Sequence, residues 1–307
     1  MTLPAQAQGP IRVLSATTEN RFPERLVFRL RAESTAAEIG RVELVFSFAG
    51  APSETVAPAS LTRGRQVEAQ YVWTTRQRAV PPGAPVVYRW VIVDGAGNRL
   101  ETPKETVHYD DTRYTWQVAH EGLVTVLWYE GDERFGRALL QAAVGATDRL
   151  ARDAEIEPAF PVRIVVYADL EAFKSAFLAL KQWTGGLAYP EMGLTVQVVS
   201  PRDQVALSTV IPHEISHLVF YQATRHAYSA PPAWLDEGLA VANETVSHRY
   251  QEGLVGRAAR QGRLHSLPVL SGGFPADPEE AHLAYAESYT LVRYVREAHG
   301  PSAIPAL

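Results

Sequence analysis

The spacing of apolar residues changes near residue 120, and this change limits the fold more than any other feature. Between residues 11 and 118 apolar and polar residues alternate in short runs such as RLVFRLRAES (25–34) and VVYRWVIVD (86–94). Such alternation is typical of strands with one buried face, and DGAGN (94–98) predicts a hairpin turn. About six strands of this kind without a helical period predict a small β-sandwich of immunoglobulin or fibronectin type, with Trp73, Trp90 and Trp116 in its core.

Beyond residue 120 strands and helices alternate. Strands are predicted for EGLVTVLWYEG (121–131), FPVRIVVYAD (160–169) and GLTVQVVSP (193–201). Helices are predicted for 132–156, with Asp132 as N-cap, for 170–183, and for most of the chain from Thr209 onward. This pattern predicts an α+β domain after the sandwich. The expected organisation is a tail at 1–10, a sandwich at 11–118 and a second domain at 119–307.

Composition excludes several classes of protein. The 307 residues are 46% hydrophobic and 21% charged, which permits two folded domains. The formal charge of −5 is spread along the chain without a Lys/Arg block, so neither nucleic acid nor an anionic membrane is indicated as a partner. No apolar run reaches the roughly 18 residues of a transmembrane helix. The absence of cysteine excludes disulfides, thiolate zinc ligands and a cysteine nucleophile.

The N-terminal residues bear on where in the cell the protein is located. Ala5-Gln6-Ala7 has the small-x-small form that ends a secretory signal peptide, although no basic and apolar segments precede it. We therefore expect a mature form of an exported protein that is secreted, periplasmic or on the cell surface. The alternative is an unstructured tail that happens to contain two alanines.

The stretch VIPHEISHLVF (210–220) carries the main chemical signal. His213 and His217 lie four residues apart, so on a helix both imidazoles project from one face and can reach one Zn²⁺. Glu214 lies one residue beyond the first histidine, where its carboxylate can reach a water at the metal. The alternative is a buried helix whose polar groups bond to one another.

A zinc site of this kind needs a third protein ligand. The candidate is Glu237 in PPAWLDEGLAVANE (231–244), twenty residues after His217 and near the start of another helix. Its neighbour Asp236 is the rival, although it would point to a different helix face. The alternative for Glu237 is a capping or salt-bridging role.

HEISH followed by WLDEGLA resembles the gluzincin metallopeptidases, and within them the bacterial peptidase-MA-like domains, over roughly residues 120–299. The resemblance implies a thermolysin-like α+β domain with one zinc per chain, bound by His213, His217 and Glu237. It implies that Glu214 is the general base for zinc-activated water in hydrolysis of a peptide bond. It also implies a bacterial protein with a peptide or protein substrate.

Two further segments match the family less closely. YAESYTLVRYV (285–295) is similar to a helix whose first tyrosine, here Tyr285, stabilises the oxyanion. Tyr289, one turn further on, is the alternative residue for this role. The alternative role for Tyr285 is packing in the core. GGLAYPEMGLTVQVV (185–199) is similar to the edge strand that aligns a peptide. The lack of a G-x-M-E-N element favours an endopeptidase.

The chain also departs from the family. Pro212 directly precedes His213, so the metal-binding helix is predicted to begin at or just after Ser208–Thr209, or to kink there. Family members often continue beyond the helix that ends near Gly300, which implies a missing C-terminal piece. The alternative function is a catalytically silent or latent zinc-binding protein whose sandwich binds a surface or protein partner. Oligomeric state does not follow from the sequence.

Overall fold

The structure is a computed structural model that describes residues 9–51, 53–74, 80–177, 186–224 and 231–307. The chain forms two compact units, one extending to Thr115 and one made of Trp116–Ser175 and Leu180–Leu307. The described part of the first consists of strands and turns, and the second combines a sheet with helices, which confirms the predicted fold class. Independent folding of residues 119–307 stays a prediction. Among the described residues no helix combines the length and apolar character needed to cross a bilayer.

The first unit is a sandwich of two antiparallel sheets. Its strands are β1 (Ile11–Arg21), β2 (Arg25–Ser34), β3 (Ile39–Phe48), β4 (Thr55–Pro58), β5 (Ser60–Leu61), β6 (Gln66–Thr74), β7 (Ala84–Asp94), β8 (Arg99–Glu101) and β9 (Glu105–Tyr109). One sheet has the order β1-β2-β6-β5 and the other β4-β3-β7-β8, with β9 also paired to β7. Rings meet between the sheets, with centroids 5.0 Å apart for Phe28 and Tyr88 and 5.4 Å apart for Phe48 and Trp73.

The predicted hairpin turn is confirmed, and Asp94 organises it. Oδ1 of Asp94 accepts hydrogen bonds from the N–H groups of Ala96 and Asn98, both at 3.0 Å. Its other carboxylate oxygen accepts from Oγ of Ser34 at 2.8 Å, which links the turn to the opposite sheet. Burial opposes ionisation of this carboxyl, but the hydrogen bonds outweigh it and lower the pKa of Asp94.

The sandwich core contains two of the three tryptophans expected there. Trp73 and Trp90 are buried between the sheets. The expectation for Trp116 is wrong, because this residue lies in the second unit. Its ring centroid is 5.3 Å from that of Tyr129 and 5.4 Å from that of Tyr167. An aromatic residue beside a domain boundary fits either core, and its sequence neighbours do not distinguish them.

The second unit is built on a mixed sheet. Its strands are β10 (Gln117–Glu121), β11 (Val124–Trp128), β12 (Val162–Tyr167), β13 (Gly186–Tyr189) and β14 (Leu194–Val198). Their order is β10-β11-β12-β14-β13, with β11, β12 and β14 parallel and the outer strands antiparallel to their neighbours. Among the strands of the described residues, β13 therefore forms one edge of the sheet, as the resemblance implied.

Helices cover this sheet and form the rest of the unit. They are α1 (Glu133–Ala154), α2 (Leu170–Ser175), α3 (Gln204–Ser208), α4 (Val210–Thr224), α5 (Ala233–Asn243), α6 (Arg249–Gln261), α7 (Leu267–Gly272), α8 (Pro278–His299) and α9 (Ala303–Ala306). The predicted cap of α1 is confirmed, since Oδ1 of Asp132 accepts from the N–H of Phe135 at 2.9 Å. The helix predicted over 170–183 is seen as α2, and residues 178–183 lie outside the described residues.

One buried side chain joins three of these helices. Asn243, 4% exposed at the end of α5, donates through Nδ2 to Oγ of Ser216 on α4 at 2.8 Å. The same nitrogen lies 3.3 Å from the carbonyl oxygens of Ala146 on α1 and Pro212 on α4. Its Oδ1 accepts from Nε of Arg149 on α1 at 2.9 Å. This amide therefore fixes the positions of α1, α4 and α5 relative to one another.

Candidate metal centre

The helix α4 begins where Pro212 predicts. Proline has no N–H to bond to a carbonyl four residues earlier, so α3 ends at Ser208 and α4 starts at Val210. The carbonyl of Ser208 accepts instead from the N–H of Thr245 at 2.8 Å. His213 already has a helical bond, its N–H donating to the carbonyl of Thr209 at 3.0 Å. The prediction of a helix start at this point is confirmed.

Three side chains converge at the centre of the site. On α4, the rings of His213 and His217 have centroids 5.0 Å apart. Oε2 of Glu237, on α5, lies 3.4 Å from Nε2 of His213 and 3.6 Å from Nε2 of His217. In a tetrahedral zinc site with bonds of about 2.0–2.1 Å, neighbouring ligand atoms lie about 3.4 Å apart. This Oε2 atom is buried without a hydrogen-bond partner of normal geometry, so the donor set fits a zinc ion.

Both imidazoles are oriented by carboxylates behind them. Nδ1 of His213 is 3.0 Å from Oε1 of Glu244, and Nδ1 of His217 is 2.8 Å from Oδ1 of Asp236. A carboxylate that accepts from Nδ1–H leaves Nε2 as the metal-binding nitrogen and fixes the ring plane. Asp236, the rival third ligand, is therefore placed behind a histidine, and Glu237 lies between the two Nε2 atoms.

Sequence reasoning did not identify Glu244. This residue closes α5 as its C-cap. Seven residues on a helix return to nearly the same face, so Glu237 and Glu244 point to the same side of α5. That spacing, in the same WLDEGLAVANE segment, is the signal that could have identified it.

The charges of the cluster shift its pKa values strongly. Burial would lower the pKa of His213, but the carboxylates of Glu237 and Glu244 outweigh it and raise that pKa to about 10. Burial would likewise lower the pKa of His217, but the hydrogen bond with Asp236 outweighs it and raises that pKa. Burial would raise the pKa of Glu237, yet the two imidazoles lower it. The imidazoles and the carboxylate thus each favour the charged form of the other.

The carboxylate of Glu214 lies beside the edge strand β13. A Cβ atom added to Gly186 would be 3.0 Å from Oε1 of Glu214 and 3.1 Å from its Cδ. Glycine at this position therefore lets the strand backbone approach the carboxylate. Burial raises the pKa of Glu214, and the neighbouring histidines only partly oppose that shift.

The two tyrosines of α8 occupy different environments. The ring of Tyr285 has its centroid 6.3 Å from that of His213 and 4.7 Å from that of Phe274, which it meets edge to face. Burial and then the charges of the nearby carboxylates, Glu237 first, raise its pKa to about 12. Tyr289 is buried and packs on His248, with ring centroids 4.4 Å apart. The structure thus brings Tyr285 toward His213, whereas Tyr289 packs against His248.

The segment 185–199, expected to carry the edge strand, begins outside the described residues at 185. From Gly186 it forms β13, a 3₁₀ turn at Pro190–Met192 and then β14. The carbonyl of Pro161 would lie 2.3 Å from a Cβ atom on Gly193, whose φ is +60°. Glycine is therefore required for the turn that returns the chain into β14.

The fold of the second unit and its three-residue donor set define a class of protein, the metallopeptidase-like proteins. A family model described as Peptidase MA superfamily matches residues 142–307, which is more than half of the chain. The chain belongs to the peptidase MA superfamily. The resemblance inferred from the two motifs is confirmed at that level.

Other comparisons add little. No curated protein sequence matches the chain. Among solved structures, the chain is similar to an aminopeptidase N family protein from Idiomarina loihiensis, with 9% identity and a TM-score of 0.38. That match covers 92% of this chain and 67% of the other. A likeness at this TM-score carries no argument about activity or substrate.

Proposed function

We propose that the protein is a zinc-dependent metallopeptidase that hydrolyses peptide bonds. The observation that carries the proposal is the placement of Glu237 Oε2 at 3.4 and 3.6 Å from two Nε2 atoms whose rings are fixed from behind. His213, His217 and Glu237 would hold the ion. Three protein ligands leave a further position open, which is typical of catalytic sites.

A zinc ion held there supplies Lewis acidity toward water and toward a peptide carbonyl. Glu214 lies one residue beyond His213 on the same helix, beside Gly186 of β13. We assign it as the general base that accepts a proton from the attacking water and gives it to the leaving amine. Glu214 lines the cluster but is not one of its three donors, so its carboxylate can accept and release this proton.

Tyr285 is assigned as the hydroxyl donor to the carbonyl oxygen as negative charge develops on it. Its approach to His213 and the influence of three site carboxylates on its pKa support this role. A donor of this kind contributes about 3–4 kcal/mol to transition-state stabilisation. Tyr285→Phe should therefore lower turnover by roughly 100-fold or more with zinc retained. Unchanged turnover in this variant would show that Tyr285 only packs in the core.

The substrate is proposed to be an extended peptide. The strand β13 is the edge of the sheet, and its Gly186 adjoins Glu214, so a chain added to this edge would pass the base. Endopeptidase action is proposed because the chain lacks a G-x-M-E-N element. Cleavage positions in long peptides would separate internal from terminal cutting.

An extracytoplasmic location is proposed from Ala5-Gln6-Ala7, which lies outside the described residues. N-terminal sequencing of the protein isolated from its source would test this. A chain that starts at Met1 with no processed precursor would contradict export.

The deciding experiment is digestion of an unbiased peptide mixture by zinc-loaded protein, read by mass spectrometry. Glu214→Gln is the matched blank, because it should keep zinc and lose turnover by several orders of magnitude. Glu237→Ala should instead lose zinc. Cuts absent from the blank would establish a peptidase and its side-chain preference. Silence from wild-type protein with one zinc per chain would favour a latent or purely zinc-binding protein.

A further inference from the structure

Helix α6 presents three exposed arginines, Arg249, Arg257 and Arg260. Within the described ranges, none of their side chains takes part in an ion pair or a side-chain hydrogen bond. At about 100° per residue, all three lie within about 80° of one another around the helix axis. They are not consecutive, so the sequence contains no basic run; the helix brings them together.

Two glycines on the same face let these side chains lie along the helix. A Cβ atom added to Gly253 would be 3.5 Å from Nη1 of Arg257, and one added to Gly256 would be 3.7 Å from Nη1 of Arg260. Each guanidinium thus folds back over a glycine one turn earlier. Like charges held close together without a counter-charge favour an external anion.

The local charge contrasts with that of the whole chain. Residues 249–269 contain four arginines and one acidic residue, whereas the chain carries a formal charge of −5. That acidic residue, Glu252, is paired with Arg293 of α8. The fourth arginine, Arg263, is paired with Glu280 at 2.6 Å. The remaining arginines face solvent as a positive area.

Aliphatic side chains are exposed directly beyond the helix. Leu264, Leu267 and Val269 are 48%, 52% and 47% exposed. A single exposed leucine is ordinary, but three exposed aliphatic residues within six positions, directly after the helix that carries the unpaired arginines, are a larger apolar segment than solubility alone explains. We call Arg249, Arg257, Arg260, Leu264, Leu267 and Val269 the α6 surface.

The exposure of these aliphatic residues is built into the fold. The N–H of His265 donates to Oε1 of Glu287 at 3.1 Å, and Nδ1 of the same histidine is 2.9 Å from Oε2. Glu287 is 5% exposed, so the anchor lies inside the unit. His265 is therefore fixed inward, while the preceding Leu264 is 48% exposed and Leu267, at the start of α7, is 52% exposed.

We propose that the α6 surface docks onto an anionic lipid bilayer. Arginine binds phosphate groups at the headgroup level, and short aliphatic side chains enter the boundary between headgroups and acyl chains. A nucleic acid would bind the arginines but leave the aliphatic residues without a partner. An anionic bilayer would contact both the arginines and the aliphatic residues. The proposal does not depend on the proposed peptidase activity.

The test is co-sedimentation of the full chain with vesicles of phosphatidylcholine alone and of phosphatidylcholine mixed with phosphatidylglycerol. We expect binding to the anionic vesicles only, weakened by added salt. Arg257→Gln combined with Arg260→Gln should lower the partition coefficient about 25-fold, since each basic residue near an anionic surface contributes about fivefold. The matched control is Arg134→Gln combined with Arg202→Gln, which removes the same charge from exposed positions elsewhere in the second unit.

A labelled variant tests the orientation. Because the chain has no cysteine, Leu267→Cys accepts an environment-sensitive fluorophore at one position. Its emission should shift to shorter wavelength with anionic vesicles, and a label at Val205→Cys, on a residue 67% exposed on α3, should not shift.

Three results of these comparisons would each overturn the proposal. These are equal sedimentation with both vesicle types, equal losses in the two double variants, and equal spectral shifts at the two labels. Absence of any vesicle binding by a folded wild-type chain would also overturn it and would redirect attention to an acidic protein as partner.

Discussion

The substitution Gly238→Ala should destabilise the second unit although it improves helix propensity. Gly238 follows Glu237 in α5, where that helix packs on α8. A Cβ atom at this position would lie 2.4 Å from the carbonyl oxygen of Ser288 and 2.8 Å from Cγ2 of Val292. The closest atom belongs to the backbone, so a side-chain rotation cannot relieve the overlap.

The magnitude follows from the separation needed. A carbon–oxygen contact of about 3.3 Å is the ordinary lower range, so α5 and α8 must move apart by about 0.9 Å. Overpacking of this kind costs up to about 3 kcal/mol, and alanine in place of glycine inside a helix returns about 1 kcal/mol. We expect a net loss of about 2 kcal/mol in the free energy of unfolding.

The assay is urea denaturation of the metal-free chain, followed by zinc competition with a chromophoric chelator. Since Glu237 is the adjacent residue, its displacement should also weaken zinc binding, by about tenfold or more. The matched control is Gly253→Ala in α6, where the nearest atom to the new Cβ is 3.5 Å away. That variant should gain about 1 kcal/mol and keep its zinc affinity.

Equal or higher stability of Gly238→Ala would refute the packing argument. A loss of stability with unchanged zinc affinity would show that the spacing of the two helices does not position Glu237.

Three further outcomes are expected. Glu244→Ala should weaken zinc binding about 10–100-fold, because the ring of His213 loses the carboxylate that orients it. Gly186→Ala should keep zinc but lower turnover by about tenfold, because the new Cβ would lie 3.0 Å from Oε1 of Glu214 and displace the base. The depressed pKa of Asp94 should stabilise the sandwich at neutral pH, and this contribution should disappear as pH falls from about 4 through the native pKa.

Each of these three predictions has its own control or contradicting outcome. Glu244→Gln keeps an acceptor oxygen and should lose less affinity than the alanine variant; equal losses would exclude an orienting role. Metal loss from Gly186→Ala would mean that β13 supports the ligands and not the base. For the acid transition, Asp94→Asn should flatten the pH dependence of sandwich unfolding, and an unchanged profile would contradict the assignment.

The parts of the fold that could be predicted depend on local signals. The cap at Asp132, the turn at Asp94 and the start of α4 around Pro212 each follow from neighbours within a few residues. The pairing of His213 with His217 is equally local, since helical geometry alone places both rings on one face.

The remaining features are tertiary. Assignment of Trp116 to the sandwich was wrong because an aromatic residue at a boundary can enter either core. The seven-residue spacing places Glu244 on the same face of α5 as Glu237, but its contact with His213 depends on how α5 crosses α4, which is a tertiary feature. The positive area on α6 was also not visible in sequence, because its arginines come together only through the helical turn.

The amide of Asn243 has a consequence for motion. The zinc ligands lie on α4 and α5, and this residue bonds both helices to α1 in the buried core. Moving the backbone of α4 away from that of α5 therefore requires a sub-global opening of three helices, and fraying of a loop does not achieve it. Backbone amides around the histidines should exchange with solvent as slowly as those of the central part of α1. The backbone positions of the ligand helices are thus tied to the core, so a change in the spacing of the ligands is coupled to the stability of the interior.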